Sequence, residues 1–448
     1  MFRTSGKHLL SVFTILFLSP AAFAQTTEAG SNPVSNKQNS PYSRYAFGDL
    51  RSGTNISLRG MGSISAAAAD RFAVNADNPA SYATLSLTTY ELAGEANSHT
   101  LRAGAKSYST GMATLSYMNI GIPMGKYMGM AIGLRPTARV FYNVQDSAVG
   151  ANSVPDIGDA LRIYFGDGSV SQAYIGFAGT VEGFSLGFNF GYMFGSIRNT
   201  SALVNLEDTS NALNTEVTRY TRVGGIFYKI GALYETKLSS KLSLRLGVNG
   251  SLSQDINATR DEYQISYLPI NGITSYDTVS TQTGRKGAIT MPMTISGGIQ
   301  FIGKDKTNAL VEKWRAGIDY THTNWSEFRN FGNPDSLQAS AYRIAAGGEY
   351  TPNAQNMRKY WPRVSYRLGF SFGKDYVYLR GTDMNQYSVT AGLSLPFRKS
   401  PDRIHTAFEM GSRGTTANGL IKENFVKFTL GFSLNALADK WFVKRKYE

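Results

Sequence analysis

The chain has 448 residues, 42% of them hydrophobic, with 45 basic against 32 acidic side chains (net charge +13) and no cysteine. Without thiols there is no disulfide support, no thiolate catalysis, no cysteine-ligated zinc and no iron–sulfur cluster. The basic residues are dispersed, apart from Lys440, Lys444, Arg445 and Lys446 near the end, so the charge does not point to nucleic acid.

The chain opens with Arg3 and Lys7, an apolar run from Leu9 to Leu18, and Ala22-Phe23-Ala24 before Gln25. A positive start, a core too short to span a bilayer and small residues at the −3 and −1 positions make residues 1–24 a secretory signal peptide cleaved after Ala24, rather than a membrane anchor. The expected divisions are then a flexible lead and plug over 25–86, a β-domain over 87–435 and a basic tail over 436–448. Residues 25–40 are mostly Ser, Thr, Asn and Gln with little to bury. Residues 57–85 are rich in small side chains, with Gly60, Gly62 and four alanines from Ala66 to Ala69, and end on Asn78-Pro79-Ala80. They lack strand alternation and are too small to hold their own core; they read as a plug whose Asn78-Pro79 turn hands the chain to the first strand.

From Leu87 onward the pattern changes. Phe184, Leu186, Phe188, Phe190, Tyr192 and Phe194 alternate with Ser185, Gly187, Asn189, Gly191 and Met193, which is the period of a strand with one greasy face. The same period recurs from Leu242, Tyr387 and Phe428. With 46 Gly, 26 Tyr and 25 Phe, a mean hydropathy of only −0.22 and no helical period between strands, the chain does not read as a soluble α/β enzyme. Candidate strands fall at 87–103, 107–124, 127–146, 170–181, 184–201, 216–238, 241–266, 287–303, 313–328, 340–353, 361–380, 384–397, 403–414 and 423–435.

A sandwich also alternates, but long strands joined by tight turns at Gly125-Lys126, Glu182-Gly183 and Ser239-Ser240 and by long polar loops at 147–169, 202–215 and 268–285 are what a membrane barrel requires. The fold class expected is therefore all-β: a transmembrane antiparallel barrel of about fourteen strands with an N-terminal hatch in its lumen. Trp314, Tyr320, Trp325, Tyr342, Tyr350 and Trp361 are expected in its interfacial girdles.

The run from Trp314 to Phe328, the run from Tyr342 to Pro352, and Asn78-Pro79-Ala80 together resemble the FadL-type outer-membrane transporters, over essentially the whole mature chain. The segment Arg59-Gly60-Met61-Gly62 is similar to members from Bacteroidota. The resemblance implies a Gram-negative outer-membrane location, contact with outer-membrane lipid, and passive uptake of hydrophobic molecules such as long-chain fatty acids or aromatic hydrocarbons, with exit through a kink in the third strand. Pro136 lies within that strand and cannot donate to a ladder, so it belongs at a bulge or a break.

If apolar side chains face lipid, Arg315, Asp319, Arg343, Glu349 and Arg367 face the lumen on three consecutive strands. They read as a salt-bridge ladder filling the barrel, or as arginines able to take a carboxylate. Met61, Phe72 and Met193 are candidates to line a greasy pocket. Beyond the signal, the three histidines, His99, His322 and His405, sit in no nucleophile or metal motif, so neither enzyme activity nor a cofactor or metal is expected. The alternative function is a FadL-like accessory subunit of a larger outer-membrane export or insertion complex, for which the basic tail is a candidate docking element.

Overall fold

Fourteen strands wind up and down into a single antiparallel ring, and the lipid-facing part of each follows the alternation seen in the sequence. In the computed structural model they are β1 (Thr88–Ala103), β2 (Lys106–Pro123), β3 (Met128–Ala148), β4 (Ala160–Val181), β5 (Phe184–Asn205), β6 (Asn214–Ser239), β7 (Leu242–Ser251 with Gln254–Ile270), β8 (Ile273–Met291 with Thr294–Lys304), β9 (Glu312–Thr323), β10 (Ala341–Tyr350), β11 (Ser365–Leu379), β12 (Thr382–Pro396), β13 (Arg403–Arg413) and β14 (Lys422–Ala436). The structure describes residues 39–436 except 156, 207–212, 271–272, 306–311, 357 and 399; the expected signal peptide and basic tail lie outside the described residues. β14 pairs with β1 from Lys422↔Arg102 to Ala436↔Thr88, which closes the ring.

The expected alternation decides which side faces lipid. Phe184, Leu186, Phe188, Phe190, Tyr192 and Phe194 are exposed on the outside of β5, while Ser185 and Asn189 between them are buried in the lumen. Three expected loops are corrected. Residues 147–148 and 160–169, 202–205 and 214–215, and 268–270 and 273–285 are strand, because β3 to β8 run on as polar hairpins beyond the apolar belt, where no greasy face is needed and alternation fades from the sequence. Trp325 is also corrected: it sits in a 3-10 turn (Trp325–Glu327), 3% exposed, and stacks on Tyr376 at 4.5 Å instead of joining a girdle.

The segment before β1 fills the lumen. It comprises a 3-10 turn (Pro41–Arg44), a two-residue strand (Asp49–Leu50), one helical turn α1 (Ile56–Arg59) and a second 3-10 turn (Pro79–Thr84). Asn55 caps α1 by accepting from the Leu58 N–H at 3.0 Å, and Asn78 caps the later turn by accepting from the Ala80 N–H at 3.1 Å, both satisfying donors that a turn leaves orphaned. The wall makes room with glycine. A Cβ on Gly369 would stand 2.0 Å from the Gly62 nitrogen, and one on Gly247 2.0 Å from the Ala66 carbonyl oxygen, so backbone packs directly against backbone.

Candidate functional site

Inward-pointing charges meet the hatch from strands all round the wall. On β1, Glu95 receives Arg51 at 3.1 Å and Arg59 at 2.5 Å. Asp77 of the hatch lies between Arg135 of β3, at 3.0 Å, and Lys229 of β6, at 3.3 Å. Burial alone pushes the Asp77 carboxyl up, but the two cations outweigh it and hold the group well below the usual carboxylate range. On β9, Asp319 accepts the backbone N–H groups of Ser65 and of Ala66, the latter at 2.7 Å. Arg245 of β7 donates to the Ala69 carbonyl at 3.0 Å.

The three candidate arginines are placed differently from one another. Arg315 reaches Glu349 at 3.0 Å and Asp70 of the hatch at 3.2 Å, and Arg367 pairs with the same Glu349 and donates to Ser394 at 2.5 Å. Both are buried. Arg343 instead donates to the Ser63 carbonyl at 2.9 Å and borders the lumenal cavity. Gly60 and Gly62 lie in the hatch against β12 and β11, where the Gly62 N–H donates to Thr390 at 2.8 Å. Met61 is fully buried with Ile64 and Ala345, Met193 lies in the main apolar cluster, and Phe72 carries a carbonyl that accepts from Ser433 at 3.3 Å. None of these last three borders the cavity. Among the described residues no three His, Asp or Glu side chains come together as a metal site; His405 shares its Nδ1 between Ser57, at 3.2 Å, and Ser394.

The cavity measures about 680 Å³ and its surround is charged, including Asp49, Arg59, Glu95, Arg139, Lys374 and Arg413. It also touches Thr114, Leu115 and Ser116 of β2 and Leu134, Pro136 and Arg139 of β3. There the wall has a seam. β2 and β3 pair only from Pro123↔Gly129 to Met118↔Leu134, and Pro136 follows at once, at a register shift against β4 between Pro136 and Ala138. Above the break, the edge of β3 that faces β2 is taken by the N-terminal segment. Asp49↔Arg139 and Leu50↔Ala138 form a short ladder, the Arg51 N–H donates to the Thr137 carbonyl and the Ser40 N–H to the Phe141 carbonyl, each at 2.9 Å. The Asn39 side chain spans the Asn143 backbone.

Sequence reasoning found the wall charges on β9 to β11 but missed Asp70, Asp77, Glu95, Arg135, Arg245 and Lys229. A charge at an inward position of an apolar strand, such as Lys229 in Phe227-Tyr-Lys-Ile230, is the signal that marks the four on the wall; Asp70 and Asp77 lie in the hatch and carry no such signal.

A fourteen-strand ring with an N-terminal segment clamped in its lumen and a break after the start of its third strand defines a hatch-plugged transmembrane β-barrel of the FadL fold. Among solved structures the chain is similar to the toluene transporter TbuX of Ralstonia pickettii (14% identity, TM-score 0.56, covering 86% of this chain and 99% of that one), a FadL homologue of Pseudomonas aeruginosa (11%, 0.58, 86% and 99%) and the toluene transporter TodX of Pseudomonas putida (14%, 0.53, 86% and 98%). At these identities the likeness is one of fold. None of the curated proteins matches the sequence. The family model for BamG matches residues 8–448, and the chain belongs to the BamG family.

Proposed function

We propose that this barrel is an accessory subunit of a larger outer-membrane machine for protein export or insertion. The observation that carries the reading is the lumen: the hatch is pinned to the wall by buried and half-buried ion pairs on opposite sides, at Glu95, at Asp77 and at Arg315. The space left over is lined by charges from both signs. Such a lumen suits a rigid scaffold better than a path for apolar cargo, because desolvating charge along the route is costly. The family model spanning nearly the whole chain is that of BamG, whereas the toluene transporters share only the fold. Purification in a mild detergent tests it: stoichiometric outer-membrane partners are expected, together with reduced levels of other outer-membrane proteins when the subunit is depleted. A lone barrel with saturable uptake of toluene or oleate overturns it.

The second reading is passive uptake with lateral exit, favoured by the contact between cavity and seam at Leu115, Leu134 and Pro136. In this reading Pro136 holds the seam open and Arg343, whose hydrogen bonds go to hatch carbonyls, takes the carboxylate of an amphiphile. Arg315 and Arg367, engaged with Glu349, would have to release it first.

A further inference from the structure

We propose that the free edge of β2 at residues 111–116 is a docking edge for a β-strand of a second, membrane-embedded protein. The inference rests on the subunit reading above and says where the partner attaches.

On one side, β2 pairs with β1 along its length, from Gly121↔Thr89 to Lys106↔Ala103. On the other, its ladder to β3 ends at Met118. No strand among the described residues pairs with that edge over 111–116. The ordinary remedy is to zip β2 onto β3, and the structure has withdrawn it: the facing edge of β3 is already hydrogen-bonded to residues 39–51 of the hatch.

The edge lies at the level of the lipid-facing belt. On β14 the outward residues Leu430, Phe428 and Val426 stand opposite Gly94, Ala96 and Ser98 of β1, and these stand opposite Leu115, Ala113 and Gly111 of β2. Backbone groups in hydrocarbon require partners, and a sheet edge satisfies them with another strand. Side chains around the edge are consistent with close approach, because Gly94, Ala96, Gly111 and Ala113 are small where β5 carries phenylalanines. Addition of a strand supplies main-chain hydrogen bonds along the edge.

The direction of the added strand narrows the partner. All neighbouring barrel strands here are antiparallel. A second copy related by a two-fold axis along the membrane normal would offer its own β2 running the same way, which makes a parallel pair, the less stable ladder. The structure therefore favours a different protein whose strand runs opposite to β2.

A photo-crosslinking phenylalanine analogue is introduced at Ala113 and at Thr114, with Phe190 on the fully paired β5 as control, and illuminated in intact cells. The expected result is one discrete membrane-protein adduct from the two edge positions and not from Phe190, with attachment points on the partner that run backwards as the β2 number rises. Adducts only to lipid, to a second copy, to residues 25–38 of the same chain, or without that antiparallel order overturn the proposal.

Proline at Met112 and at Ala113 provides an independent arm, since neighbouring N–H groups on a strand point to opposite edges. One of the two variants is expected to keep the heat-modifiable barrel and to lower the adduct from Thr114 at least tenfold. A folded pair with undiminished adduct overturns docking at this edge. If stoichiometric partners co-purify but map to another face, the docking edge fails and the subunit reading stands; if nothing co-purifies, the subunit reading itself fails.

Discussion

Glu349 accepts Arg315 at 3.0 Å while also engaging Arg367, so one carboxylate on β10 holds together guanidinium groups from the strands on either side. Replacing it by glutamine leaves two buried cations facing each other. Glu349→Gln is expected to destabilise the folded barrel by about 3–5 kcal/mol, the usual cost of breaking a buried pair from one side. Urea unfolding in detergent followed by heat modifiability on gels measures it, and a loss below 1 kcal/mol would mean that solvent reaches the cluster.

The contact between Gly369 and Gly62 leaves no room for a side chain, because the atoms in the way are backbone. Gly369→Val is therefore expected to expel the hatch rather than to prevent the barrel. Protease should then cut within residues 57–85 while the wall remains heat-modifiable, and the penalty should be ~1–3 kcal/mol or more, as for other overpacked sites.

Asp77 makes a prediction about pH. Its folded value is depressed by Lys229 and Arg135 against the opposing effect of burial, so its contribution to stability is fully present above the unfolded carboxylate value of about 3.9 and is lost as the pH falls through the still lower folded value. Amide exchange of Ala76 and Ala80, corrected for intrinsic rate, should show equal protection at pH 7 and pH 4.5, with loss only in stronger acid. Asp77→Asn should lose protection already at neutral pH. A wild-type hatch that loosens between pH 6 and pH 5 would contradict the assignment.

Pro136 tests the uptake reading directly. If cargo leaves by the seam, Pro136→Val, which restores a backbone N–H at the break, should lower accumulation of a labelled hydrophobic probe several-fold without changing barrel abundance. Unchanged uptake removes the lateral exit and leaves the proline as a bulge, a common feature of barrel rims.

Much of the wall was legible in the sequence because a bilayer imposes period two on every stretch that touches it. β1, β2, β12, β13 and β14 begin and end within two residues of the boundaries that alternation alone suggests. Where the strands leave the lipid belt, as at residues 160–169 of β4 and 273–286 of β8, that pressure disappears and polar strand looks like polar loop. The charges at Arg315, Arg343, Glu349 and Arg367 were legible as lumenal from parity. Their partners were not: Asp319 was expected beside Arg315, yet it binds the hatch backbone at Ser65 and Ala66, and Asp70 reaches Arg315 across 245 positions of sequence. Parity assigns a face but carries no information about which remote segment is pressed against it.

The fit of the hatch sets the girth of the wall around it. Ser40 donates to Glu423 across 383 positions of sequence, and the glycine contacts at Gly247 and Gly369 leave no clearance between plug and wall. The plug is thus matched to a single circumference of the wall, held at once on β7, β11 and β14.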